Sequence, residues 1–224
     1  DTLFSARIAP PMIGLGLLEA IADEDILANA DPDDLNSDGI SGRANQVWDR
    51  AQQRTTLGRF GWKAGQPTLN QQNAEAFAND MGLTSTLVAQ DNCSELQRDC
   101  HNAPNGGEFE VSDSILASVL FYTRNLGVPA RRDADTPHVL AGKNLFYRAG
   151  CQGCHTPQFT TATNAAEPEL ANQAIRPYSD LLLHDMGTGL ADNRPEFLAN
   201  GQEWRTPPLW GIGLTETVNG HTQF

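Results

Sequence analysis

The stretch Cys151-Gln152-Gly153-Cys154-His155 is the most informative part of this chain of 224 residues. Cys-x-x-Cys-His is the attachment pattern of a c-type haem. The two thiols form thioethers with the porphyrin vinyl groups, and the histidine binds the iron as proximal ligand. A thioredoxin-like dithiol does not need the histidine, and a zinc site needs a second ligand pair that is not found at comparable spacing. The motif therefore predicts covalently bound haem c, with a dithiol, half a zinc site and chance as the alternatives.

The second axial ligand of the iron is expected after His155. Met186 offers a soft thioether beside a glycine that permits close approach of the backbone, although packing in the core is the commoner fate of a methionine. Methionine ligation would raise the potential and suit electron transfer. His184 is the second candidate, with a hydrogen bond to a propionate or a carbonyl as its alternative. His221 and His138 are weaker candidates, because an exposed histidine is the default for both.

Arg205, in a Trp-Arg-Thr-Pro-Pro segment, is a candidate partner for a haem propionate. Arginine binds carboxylates in a bidentate manner, which fits that role. A surface salt bridge explains the same residue equally well.

An acidic segment over residues 31–42 resembles the opening of an EF-hand calcium loop. The expected ligands are the side chains of Asp34, Asn36 and Asp38 and the backbone carbonyl of Ile40. The twelfth position holds asparagine where the EF-hand has a bidentate glutamate, so a looser structural calcium loop is predicted. A turn rich in Asp and Asn with solvated charges is the alternative.

The charge and the cysteines restrict the partners and the compartment. A formal net charge of −13 argues against nucleic acid and anionic membranes, and no apolar run is long enough for a membrane span. Cys93 and Cys100 are further apart than haem attachment allows, so a disulfide is expected rather than a second haem. Haem attachment and a disulfide both occur outside the cytoplasm, which predicts a periplasmic or secreted protein.

The spacing of apolar residues predicts helices joined by long loops rich in Gly and Pro, without a convincing run of alternating strands. The predicted helices are Ile13–Leu27, Thr68–Met81, Asp113–Leu126, one from Pro137 into the motif, and a short one near Leu181. The expected fold class is mainly α. A helical and loop-rich region with the acidic loop and the disulfide, residues 1–130, would precede a cytochrome c-like haem domain with long loops, residues 131–224.

Seven segments, in this order along the chain, resemble the di-haem oxidoreductase family. They are Gly14-Leu-Gly-Leu-Leu-Glu-Ala-Ile21, Asp38-Gly-Ile-Ser-Gly-Arg43, Gly58-Arg-Phe-Gly-Trp-Lys-Ala64, Asp80-Met-Gly-Leu-Thr-Ser85, the Cys-x-x-Cys-His motif, Pro177-Tyr-Ser-Asp-Leu-Leu-Leu-His-Asp-Met-Gly187 and Glu203-Trp-Arg-Thr-Pro-Pro-Leu-Trp-Gly211. That family is related to bacterial di-haem cytochrome c peroxidases. The resemblance extends over essentially the whole chain.

The resemblance implies a redox protein with an electron-transfer haem and a second, candidate catalytic haem. It transfers haem attachment to Cys151 and Cys154, proximal ligation to His155 and the distal position to Met186. Because this chain has one such motif, we expect a fragment of a longer protein, with a redox partner protein or a second haem domain and a small oxidant such as peroxide. The catalytic residues stay unknown. The alternatives are a non-catalytic mono-haem electron carrier and a haem-based binding or sensor module.

Overall fold

The computed structural model describes residues 3–220 of the chain. Within them, seven mostly short α-helices and three two-stranded antiparallel sheets are joined by long loops. The helices are α1 (Leu15–Glu19), α2 (Asp23–Leu27), α3 (Leu69–Met81), α4 (Arg98–His101), α5 (Asp113–Arg124), α6 (Pro137–Arg148) and α7 (Thr215–Asn219). The strands are β1 (Gln46–Asp49), β2 (Arg54–Leu57), β3 (Phe159–Thr160), β4 (Ala174–Ile175), β5 (Leu183–Asp185) and β6 (Glu203–Arg205). The sheets pair β1 with β2, β3 with β4 and β5 with β6.

The expectation of a mainly α fold with a cytochrome c-like haem domain is wrong. Helices account for 31% of the described residues and strands for 11%, and the small sheets are part of the architecture. The physical reason is that many backbone N–H and carbonyl groups form hydrogen bonds with distant segments, where a helix would have paired them within itself. Strand β5 shows this directly, since the N–H and carbonyl of Leu183 bond the backbone of Arg43 at 2.8 and 3.0 Å.

Three of the predicted helices are confirmed because their end signals are local. Thr68 caps α3 by accepting the N–H of Gln71, and Gly82 ends it with a left-handed backbone. Ser112 caps α5 by accepting the N–H of Ile115, and Asp113, where the predicted helix begins, is the first helical residue. A proline begins α6 at its first turn, where its missing N–H costs no hydrogen bond.

Two other helix predictions are wrong. The segment Ile13–Leu27 is not one helix but two, α1 and α2, because the carbonyl of Ala20 accepts the N–H of Ala162 at 2.7 Å instead of continuing the helix. The segment near Leu181 is not a helix and leads into β5. Leu181 has a left-handed backbone (φ 62°), which is incompatible with a continuing right-handed helix.

The main hydrophobic core draws residues from both ends of the chain. Leu18, Ile21 and Leu69 pack in one cluster with Leu181 and Leu182. The predicted boundary between residues 130 and 131 stays a prediction, but it divides residues that share this core. Within residues 3–220 no helix is both long enough and apolar enough to cross a membrane.

The expected disulfide between Cys93 and Cys100 is formed. It closes a short loop that contains the first part of α4. This loop and its neighbours are mostly exposed, so the disulfide fixes a surface segment that has little core of its own.

Candidate functional site

The Cys-x-x-Cys-His motif follows directly after α6. Gly150 turns the chain with a left-handed backbone (φ 77°), and residues 151–153 form a single 3₁₀ turn. Cys151 and Cys154 are free thiols, the first exposed and the second partly buried. Both sulfurs are therefore available for covalent chemistry.

His155 is oriented by the backbone of a distant segment. Its Nδ1 donates a hydrogen bond to the carbonyl of Tyr178 at 2.7 Å. This bond assigns the proton to Nδ1 and leaves the Nε2 lone pair without a hydrogen-bond partner among residues 3–220. A histidine that binds a metal through Nε2 commonly donates its other N–H to a carbonyl in this way.

The backbone on both sides of His155 is held by the same distant segment. The N–H of Asp180 donates to the carbonyl of Cys154 at 3.0 Å, and the N–H of Ser179 donates to the carbonyl of Thr156 at 3.1 Å. We call residues 177–185 together with β6 the inner wall, because most of these residues are buried. The motif thus lies against a fixed surface on one side.

Within the inner wall, His184 connects Cys154 to a buried carboxylate. His184 Nε2 donates to Asp180 Oδ2 at 2.7 Å, and Nδ1 lies 3.5 Å from Cys154 Sγ. Burial alone would lower the pKa of His184, but its hydrogen bonds and charge interactions with Asp180 and Cys154 outweigh burial and raise the pKa to about 10. The His184 ring also packs closely on Gly42, where an added Cβ would lie 2.8 Å from Cε1.

The two proposed distal ligands differ in burial. His184 is buried against Cys154, whereas the side chain of Met186 is half exposed. The Met186 N–H bonds the carbonyl of Gln202, which continues the β5–β6 ladder by one step beyond Asp185. Side chains two positions apart in a strand point to the same face, so Met186 lies on the face of β5 that carries His184. His221 lies outside the described residues, and His138 is exposed on α6.

Arg205 is buried in the inner wall. Its Nε donates to the carbonyl of Gly61 and its Nη1 to that of Thr206. Burial lowers the pKa of Arg205 to about 10, and the negative charge of Asp180 partly opposes this. The pairing of Arg205 with a propionate stays a prediction.

The inner wall is anchored by a second buried charge, Lys63. Its Nζ donates to the carbonyls of Asn200 and Glu203 at 2.8 and 2.9 Å and pairs with Asp192 at 3.0 Å. It also lies 4.4 Å from the ring centroid of Trp204 in β6. These contacts fix β6 from behind.

Asp192 receives several hydrogen bonds. Burial alone would raise its pKa, but hydrogen bonds from Arg7, the N–H of Arg194, Ser5 and Lys63 hold the pKa well below its usual value. Asp192 is therefore ionised in the folded protein far below neutral pH.

The helix α6, which leads into the motif, has no buried residue. Leu140, Leu145 and Tyr147 are each more than two-fifths exposed. Phe146 packs edge-to-face on Tyr178 with ring centroids 5.3 Å apart, which connects α6 to the inner wall. The motif therefore has a packed side and an open, apolar side.

The predicted calcium loop contacts the motif. The Ile40 side chain packs on Gly153, where an added Cβ would lie 2.3 Å from Ile40 Cδ1. Asp34 Oδ1, Asn36 Oδ1 and Asp38 Oδ1 accept backbone N–H groups within the loop at 2.9–3.2 Å. Among the described residues no group of three or more His, Cys, Asp or Glu side chains is arranged to hold a metal ion, so calcium stays a prediction.

The donor set at the motif fits a haem c. Two free thiols have the required spacing, and an imidazole held by a backbone carbonyl has its second nitrogen free. The sequence did not predict the roles of Tyr178 and Asp180. The spacing of Asp180 and His184 within one segment was an available signal, but their contact with Cys154 depends on the tertiary fold.

Comparison with protein families gives one match, over residues 1–224, to the family described as "Di-haem oxidoreductase, putative peroxidase". Neither the comparison with curated proteins nor that with solved structures found a match. The family name supports a redox role and suggests haem. Since the match extends over the whole chain, this protein belongs to the di-haem oxidoreductase family.

Proposed function

We propose that this chain is a haem c-dependent redox protein that transfers electrons within a di-haem, peroxidase-like oxidoreductase. The observation that supports this best is the hydrogen bond from His155 Nδ1 to the Tyr178 carbonyl. It leaves Nε2 free to bind iron in the motif that attaches c-type haem. The family assignment supports the redox role.

The residues of the site divide the binding of the haem among them. When bound, the haem supplies the redox-active iron. Cys151 and Cys154 would hold the porphyrin through thioethers, and His155 would bind the iron as proximal ligand. Met186 is the proposed distal ligand, since it lies on the strand face that carries His184. The exposed apolar residues of α6 would shield a bound haem from water.

The electron partner follows from the family and the charge. A di-haem family implies a second haem domain or a separate redox protein as partner. The net charge of −13 favours a basic protein, because opposite charges steer association. Peroxide is the proposed oxidant. The disulfide between Cys93 and Cys100 and the attachment chemistry both support a periplasmic or secreted location.

The test is production of the full chain with a cytochrome c maturation system. Intact mass should increase by one haem, and the Cys151→Ala/Cys154→Ala double variant should show no increase. A chain that stays colourless, or whose two thiols join each other or bind zinc, would contradict the proposal.

The distal ligand has its own test. Met186→Ala should convert the oxidised iron from low spin to high spin and lower its potential, because a soft ligand is lost. Replacing exposed Met81, which lies at the end of α3, is the matched control and should change neither. A spectrum that Met186→Ala leaves unchanged removes Met186 as ligand.

We also propose a structural calcium ion in the acidic loop, bound by Asp34, Asn36, Asp38 and the carbonyl of Ile40. The supporting observation is that Ile40 packs on Gly153 of the motif, so an ordered loop would stiffen the motif. Calcium should raise the melting temperature of the wild type and not that of Asp34→Asn/Asp38→Asn. Equal melting temperatures with calcium and with chelator would contradict the calcium site.

A further inference from the structure

The two cysteines of the motif have different surroundings. Cys151 is exposed, and no residue within 3–220 forms a hydrogen bond with its sulfur. Cys154 is partly buried, and its sulfur faces Nδ1 of His184 at 3.5 Å. A motif that attaches a porphyrin through two equivalent reactions does not require such a difference.

Three hydrogen bonds form a closed ring through Cys154, Asp180 and His184. The N–H of Asp180 holds the carbonyl of Cys154 at 3.0 Å, Asp180 Oδ2 holds His184 Nε2 at 2.7 Å, and His184 Nδ1 faces Cys154 Sγ. Asp180 is 1% exposed and His184 6%, so water does not compete for these bonds. The ring fixes the backbone and the side-chain direction of Cys154 together.

The carboxylate also determines what His184 can do for the sulfur. With Nε2 donating to Asp180 Oδ2, the ring presents Nδ1 to Cys154 Sγ, and this contact fixes the direction of the sulfur. The close packing of the His184 ring on Gly42 prevents the ring from turning away.

We propose that His184, held by Asp180, is a positioning residue that directs the Cys154 sulfur toward thioether formation. This inference rests on the proposed function, since it concerns the attachment of the same haem. In that step the sulfur bonds to the vinyl carbon next to the porphyrin ring, and the thiol hydrogen goes to the terminal vinyl carbon. The vinyl double bond becomes a single bond, so neither an oxidant nor a reductant is consumed.

The experiment compares His184→Ala in two backgrounds produced with a cytochrome c maturation system. In Cys151→Ala only Cys154 can attach the haem, and there His184→Ala should lower the haem-loaded fraction about tenfold, as loss of an outer-shell partner typically does. In Cys154→Ala only Cys151 can attach it, and there the same change should have no effect. Intact mass measures both fractions, and His101→Ala, at an exposed histidine of α4, is the control.

With both cysteines present, the pyridine haemochrome spectrum gives a second measurement. His184→Ala should shift the α band to the longer wavelength of a haem with one remaining vinyl group. His184→Asn should restore the wild-type band, because its side-chain amide reaches the position of Nδ1.

The outcomes separate the two proposals. An equal loss in both backgrounds means that His184 supports the fold rather than the sulfur and overturns the inference. An unchanged loaded fraction in Cys151→Ala overturns it as well, while the proposed function stands. A wild-type chain that attaches no haem overturns both.

Discussion

The inner wall and α6 both contact the same motif and are built in opposite ways. In the inner wall, residues 179–184 are all buried, and the charged groups Asp180 and Arg205 are satisfied by hydrogen bonds. In α6 no residue is buried, and its apolar side chains face outward. The inner wall is therefore held in place by the protein itself. The position of α6 depends on whatever covers its apolar side, which we propose is the porphyrin.

The largest expected effect tests the inner wall through Lys63. Lys63→Met keeps the volume but leaves Asp192 and two carbonyls without their buried cation, so we expect a loss of about 4 kcal/mol in the free energy of unfolding. Lys143→Met on α6 removes an exposed charge and should change stability by less than about 0.5 kcal/mol. Urea unfolding of both variants measures the difference. Similar losses would show that the two sides are equally ordered.

Hydrogen exchange tests α6. Covering Leu140, Leu145 and Tyr147 with haem should stabilise the helix by about 3 kcal/mol, which slows exchange of its amides about 100-fold. The amides of β5 should change little, because they are already protected in the haem-free protein. Equal slowing in α6 and β5 would mean that haem orders the whole molecule.

A pH titration of stability tests the support of β6. The pKa of Asp192 is held low in the folded state. Below about pH 4 the unfolded chain therefore binds more protons than the folded protein, and the free energy of unfolding decreases as the pH is lowered. Above its unfolded pKa the contribution of Asp192 is fully present. Asp192→Asn should lower the free energy of unfolding by about 2 kcal/mol at pH 7 and make its decrease at acid pH less steep. An acid limb as steep as that of the wild type would assign the acid sensitivity to other carboxylates, such as Glu203.

The smallest expected effect compares two glycines. Gly42→Ala pushes a Cβ against the rigid ring of His184 and should destabilise the protein by about 1 kcal/mol. Gly142→Ala, in the interior of α6, meets no atom within 4 Å and should stabilise by up to about 1 kcal/mol, because alanine favours a helix. Thermal melts of both variants decide the signs. The same sign for both would weaken the contrast between the two sides.

The sequence predicted best what depends on neighbouring residues. The ends of α3 and α6 carry local signals in Thr68, Gly82 and Pro137, and the Cys-x-x-Cys-His motif is itself local. The strands were missed because their pairing is not local. β5 is fixed by Arg43 and by β6 from distant parts of the sequence, and the leucines at 181–183 that lead into it do not alternate with polar residues.

The same limit applies to the candidate site. The thiols and the imidazole could be named from the sequence, but the contact of His184 with Cys154 could not. Burial of Lys63 was equally hidden, since its carbonyl partners lie at Asn200 and Glu203. In the sequence Lys63 simply follows Trp62, and nothing in this local pattern indicates a buried lysine.

The hydrogen bonds at the motif have a consequence for the order of events in a newly made chain. His155 and Cys154 bond residues 23 and 30 positions later in the sequence. The motif is synthesised before its partners Tyr178 and His184, and β6 is synthesised later still. During that interval neither sulfur has the surroundings that distinguish Cys154 in the folded protein, and the difference arises only after synthesis has passed His184.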